Sequence, residues 1–193
     1  ISKPITAIAA LQLVEEGLLD LDIDIRNYVP EYLIQAKEAL SAPITMRNLL
    51  EHRSGIKHYN TDGPAFNAAD RTNYINSNCS FDAVEAVTIF SGNPADTLQF
   101  PPGTARLYTS MGYNLAGAVV ARAGLCERKN DNYAERIRRK ISFPLNMPYL
   151  QPEYPWRMPY PNQTMLYNGA GNTYNNPPKN DGPDISWKLP SGG

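Results

Sequence analysis

Ile44-Thr45-Met46-Arg47-Asn48-Leu49-Leu50-Glu51-His52-Arg53-Ser54-Gly55-Ile56 is the stretch from which the fold can be worked out. Thr45 is a good helix cap, because its hydroxyl can accept from the free N–H groups of a first turn. Met46, Leu49 and Leu50 follow at helical spacing and offer one apolar face. Ser54-Gly55 ends the element. His52 then falls at the helix end, where its ring is expected to satisfy backbone groups.

Upstream, Ile5, Ile8, Ala9, Leu11, Leu13 and Val14 keep a helical period with a wide apolar face. That width predicts a buried helix rather than a surface one. Gly17 is its C-terminal stop, and Ser2, before Pro4, is its candidate N-cap. Leu18 to Pro30 alternates Asp with aliphatic residues and reads as an extended connector.

Downstream, Asn60 to Asn78 is polar and turn-rich, hence a surface loop. Ser80 can cap a helix carrying Phe81, Val84, Val87 and Phe90. Pro101-Pro102-Gly103 is a turn and Ala105 to Tyr108 is briefly extended. Met111 to Ala123 is a Gly/Ala-rich helix closed by Gly124. Asn130 to Ile141 is an amphipathic helix with Tyr133, Ile137 and Ile141 inward and Arg136, Arg138, Arg139 and Lys140 outward. From Pro144 to the end come 10 of the 17 prolines and no helical period, so loops with short strands are expected.

The whole chain has 193 residues, 42% of them apolar and 19% charged, which is globular composition. Its 18 basic and 19 acidic residues balance, so no strong field attracts nucleic acid or an anionic membrane. The longest apolar run, Ile5 to Val14, is about half of a membrane span. Cys79 and Cys126 give neither metal spacing nor a disulfide framework, and two reduced thiols are the default reading. The sequons at Asn78 and Asn162 carry little weight. Asp20, Asp22, Asp24 and Glu31 fit four positions of a calcium loop, but Ile25 stands where that loop needs Gly. His52 and His58, the only histidines, lack a third ligand for zinc. The basic run Arg136 to Lys140 reads as a solvated helix face.

Two constellations remain. One is Ile1-Ser2-Lys3 leading into the first helix; the other is Tyr108-Thr109-Ser110 at the mouth of a later one. With their flanks they resemble the serine β-lactamase and penicillin-binding-protein superfamily, in its class C-related branch. Ile1 to Ala7 is similar to the segment just after the nucleophile of its Ser-x-x-Lys motif, with Lys3 as the lysine. The serine of that motif would be the residue immediately before Ile1, which the sequence does not include. Ser2 is no substitute, because Ile5 stands three residues after it. Gly17 to Asp22 with Tyr28 to Glu31, the Ile44 to Ile56 stretch, Phe100 to Leu115 and Phe143 to Met147 resemble further family blocks in order.

The resemblance implies an α+β fold of the β-lactamase/transpeptidase type. This chain would cover mainly its helical half, with the antiparallel sheet largely missing at both ends. Residues 1–147 would be a partial, mostly helical domain, and residues 148–193 Pro- and Asn-rich loops and short strands of the same domain. The chain is therefore expected to be a piece of a longer protein. The implied activity is serine acyl hydrolysis of a peptide, ester or amide substrate through an acyl-serine intermediate. The alternative is a catalytically silent relative used for binding or as a self-assembling scaffold. The implied catalytic residues are Lys3, as base, and Tyr108, as proton relay. Ser110 would face the substrate, although this position is usually Asn in the family's Tyr-x-Asn. No metal or organic cofactor is implied, and no nucleic-acid partner. A homo-oligomer is an open expectation. Ile56-Lys57-His58-Tyr59 resembles mitochondrial members of the branch, so a mitochondrial location is favoured over a secreted one.

Overall fold

A computed structural model describes residues 1–30, 32, 42–58, 83, 98–127 and 132–151. The expected loop at 60–78, most of the expected helix after Ser80 and the tail from residue 152 lie outside the described residues. So do Glu31, Cys79 and both sequons.

The first helix, α1, runs Ser2–Glu15. Ser2 is its first helical residue rather than its cap; Ile1 stands at the cap position and supplies no side-chain bond. Pro4 fits in the first turn because the N–H it lacks would have no helical partner there. The helix ends as expected. Leu18 N–H donates to Leu13 O at 2.9 Å and Gly17 N–H to Val14 O at 3.0 Å, with Gly17 at φ +71°. This is a paired C-terminal closure that needs a left-handed residue.

Thr6, Ala9, Ala10 and Leu13 are the buried stripe of α1, spaced three and four apart. Ile8 and Leu11 are each 48% exposed, so the helix is not buried all round as its composition suggested. The described neighbours, α3 and α4 (below), cover one side of it.

The connector after α1 contains a 3-10 turn, Ile25–Asn27, capped by the Asp24 side chain. One isolated antiparallel bridge pairs Asp24 with Thr45. Asp22 and Asp24 are engaged by cations, while Asp20 accepts from Asp22 N–H at 2.8 Å. Arg47 pairs with Asp22 at 2.7 Å, and Arg26 forks onto Asp24. The expected extended connector is thus replaced by bends and a 3-10 turn, because the Asp24 side chain caps that turn.

The second helix, α2, is Met46–Leu50. Thr45 Oγ1 accepts from Asn48 N–H, and Asn48 Oδ1 accepts from Thr45 N–H, both at 3.2 Å. This reciprocal cap satisfies two otherwise free donors. The helix stops at Leu50, short of the expected Ser54-Gly55.

The third helix, α3 (Ser110–Gly124), is the central element. Of its 15 residues, only Arg122 is not buried. A helix apolar all round belongs in a core, and α1, α2 and the fourth helix pack on it. Gly124 is its last residue, not a left-handed stop beyond it.

The fourth helix, α4 (Tyr133–Ile137), is capped by the Asn132 side chain and passes into a wider π turn, Arg138–Ser142. Tyr133, Ile137 and Ile141 face inward as expected. Arg136 does not face outward: it is fully buried. Its guanidinium donates to Glu16 at 2.8 Å and to Glu127 at 3.0 Å. Lys140 also reaches both glutamates at 2.9 Å, and Arg139 reaches Glu127 at 3.0 Å. A buried cation needs such partners. The cluster ties the ends of α1 and α3 to α4.

Candidate active site

Lys3 lies in the first turn of α1. A cation there meets the positive end of the helix dipole, which destabilises the helix by about 0.3–1 kcal/mol. Helix formation therefore gives no reason for this lysine. Its surroundings do. Lys3 Nζ donates to Ser110 Oγ at 3.4 Å. The same nitrogen lies 4.8 Å from the Tyr108 ring centroid and 5.6 Å from that of Tyr113, within cation–π range. The structure thus brings together Lys3, Tyr108 and Ser110, residues about a hundred positions apart in sequence.

The segment bearing Tyr108 is stitched to the Ser-Gly turn. Gln99 N–H donates to Gly55 O at 2.8 Å, Gly103 N–H to Arg53 O at 2.8 Å and Leu107 N–H to His52 O at 2.9 Å. Gly55, at φ +78°, makes this approach feasible, since a Cβ there would sit 2.2 Å from Phe100 O. Tyr108 ends up 56% exposed, while Ser110 is buried. The site is open on the tyrosine side.

Thr109 caps α3. Its hydroxyl accepts from Gly112 N–H at 3.3 Å and donates to Lys57 O at 2.7 Å. The backbone N–H of Thr109 donates to His52 Nδ1 at 3.2 Å, and that of Ser110 to His58 Nδ1 at 3.0 Å. His52 is a helix-end histidine whose ring satisfies the backbone, as its position suggested. It adopts φ +60° and stacks at 4.6 Å on Tyr108 and 4.9 Å on Tyr113. Tyr113 is tethered in turn by its hydroxyl, which donates to Leu50 O at 3.0 Å. Burial, and then the charges of Lys3, Arg106 and His58, hold the His52 pKa below the ordinary 6.5. Burial, with Tyr108 nearby, raises that of Tyr113.

Sequence reasoning missed His58 and Tyr113 as parts of this site, and gave Thr109 no role within its constellation. A usable signal was present: two histidines six apart flank the Ser-Gly turn. Among the described residues, no three His, Cys, Asp or Glu side chains are grouped to hold a metal ion.

A family model described as Beta-lactamase matches residues 1–193. The chain belongs to the beta-lactamase family. It is 28% identical over 191 aligned positions to the mitochondrial serine beta-lactamase-like protein LACTB of Homo sapiens, a match covering 71% of this chain and 34% of that protein. It is 32% identical over 125 positions to Esterase EstB of Burkholderia gladioli, covering 64% of this chain and 31% of the esterase. The chain thus spans about a third of the length of these relatives. Among solved structures it resembles a D-stereospecific amidohydrolase from Streptomyces sp., with TM-score 0.56 and 26% identity, over 75% of this chain and 40% of that one. The described part of the chain is helical, and the relatives of this chain within the family include esterases and amidohydrolases.

Proposed function

We propose that the protein is a serine acyl hydrolase that opens an ester, amide or peptide carbonyl through an acyl-serine intermediate. The observation that carries this reading is the meeting of Lys3, Tyr108 and Ser110 at one helix mouth, with Lys3 Nζ 3.4 Å from Ser110 Oγ. The family's Ser-x-x-Lys spacing puts the nucleophile at the position ahead of Ile1, one helical turn before Lys3. Lys3 takes the proton of that serine as it attacks. Tyr108 passes a proton to the leaving group. Ser110 offers a hydroxyl where an amide is usual, so it holds Lys3 and contacts substrate through a shorter donor. The N-terminus of α1 faces the developing negative charge.

Esterase and amidohydrolase relatives support acyl transfer and leave both leaving groups open. p-Nitrophenyl butyrate set against a peptide p-nitroanilide separates them. Turnover of either supports the reading. Turnover of neither by the native protein would favour a silent binding or scaffold role. The mitochondrial relative supports a mitochondrial location for this protein too, which fractionation with an antibody to residues 1–150 would test.

A further inference from the structure

The two histidines have no place in the proton transfers just proposed, yet both ring nitrogens aim at the same two peptide units. Thr109 N–H reaches His52 Nδ1 at 3.2 Å and Ser110 N–H reaches His58 Nδ1 at 3.0 Å. Ser110 N–H is among the first donors of α3, which the helix itself leaves without partners. Tyr108 immediately precedes this pair of peptides and lies between the two rings, 4.6 Å from His52 and 5.7 Å from His58. We infer that His52 and His58 are paired positioning residues, which hold the start of α3 and so aim Tyr108 and Ser110 at Lys3.

An Nδ1 that accepts a hydrogen bond carries no proton, so each ring is held as the neutral tautomer with its proton on Nε2. Protonation at Nδ1 removes the acceptor and sets two like dipoles against each other. The clamp therefore releases in acid. Among the described residues, the titratable groups facing the pair are Lys3 from α1, Arg106 and Tyr108 from the preceding segment and Tyr113 from α3. The two that carry charge at neutral pH are cations, and they oppose a further positive charge on the rings.

This inference rests on the hydrolase reading for its kinetic consequence, but its structural half can be tested separately. Asn is the informative replacement, since its Oδ1 occupies roughly the place of Nδ1, does not titrate and tolerates positive φ. With p-nitrophenyl butyrate, His58→Ala is expected to lower kcat about tenfold and KM by less than about twofold, the loss of one neutral hydrogen bond in the productive geometry. His58→Asn and His52→Asn are expected to restore kcat to within about threefold, because the acceptor is kept. Equal losses in the Ala and Asn variants would mean that the rings only fill space, and would overturn the inference.

Hydrogen exchange at the Thr109 and Ser110 amides supplies the readout that needs no activity. Once corrected for intrinsic rate, protection is expected to fall on acidification in the native protein and to stay flat in the double Asn variant. Protection that is independent of pH in the native protein and unchanged in His58→Ala would refute the clamp. A titrating clamp in a protein with no hydrolytic turnover would refute the hydrolase reading instead, and with it the kinetic half of this inference.

Discussion

At the scale of single residues, Lys3 is the position where local helix preference and the proposed chemistry part. A helix would place an acid or a neutral cap in its first turn, and this helix places an amine against a hydroxyl and two aromatic rings. Lys3→Ala is therefore expected to leave the fold intact. It should cut acyl transfer at least about a hundredfold, the usual contribution of a positioned base. Stopped-flow acylation measures this, and an unchanged rate would remove Lys3 from the mechanism. Tyr108→Phe keeps the ring on His52 and loses the hydroxyl. Its kcat is expected to fall on the order of tenfold to a hundredfold, and unchanged turnover would rule out the proton relay. That Lys3, Tyr108 and Ser110 would lie together was legible because they sit in motifs of the resembled family. The histidine contacts were not, since spacing shows that two rings lie near a turn but not which peptides they face.

At the scale of elements, some short signals held, while the Ser2 cap, the Gly124 stop and the Ser54-Gly55 end did not. The Thr45 cap, the Gly17 stop and the start of α3 follow from local chemistry, which needs only a few neighbouring residues. Arg136 is the counterexample. Its charge argued for an outward place although it stands three residues after the inward Tyr133, and only the tertiary meeting with Glu16 and Glu127 makes its burial tolerable. Arg136→Met should destabilise by about 1–3 kcal/mol, less than for a fully dry pair, because both carboxylates keep other cations and some water. Urea unfolding would measure it. The glycines differ in a graded way. Gly17→Ala meets open space and only the left-handed penalty, about 1 kcal/mol. Gly55→Ala adds a clash with the Phe100 carbonyl, so about 3 kcal/mol or more is expected. Equal losses for the two would contradict the close approach described at the site.

At the scale of the molecule, charge sets the response to acid. Burial and neighbouring cations hold the His52 pKa below its unfolded value of 6.5, so its share of stability is complete above about pH 6.5 and is lost as pH falls below that. Hydrogen bonds from Arg139 and Lys140 outweigh burial and hold Glu127 at about 2, so its share is present above 4.5 and lost between 4.5 and about 2. Burial pushes Glu16 up, but bonds from Lys140 and Arg136 leave it lowered, with the same sign. Denaturation midpoints should therefore hold level around neutrality and fall in two stages in acid. A midpoint that rises on acidification would contradict the burial of His52 and the ion cluster together. The described helices were legible where their caps and periods are local. Of the expected sheet, the described residues hold one isolated bridge, Asp24 with Thr45.

The central claim is that Lys3 and Tyr108 serve a serine one turn ahead of Lys3. Treating the native protein with a fluorophosphonate probe and mapping its peptides by mass spectrometry tests this directly. The expected adduct is on a serine joined directly to Ile1. A different residue at that position, or an adduct on Ser110 instead, would contradict the account.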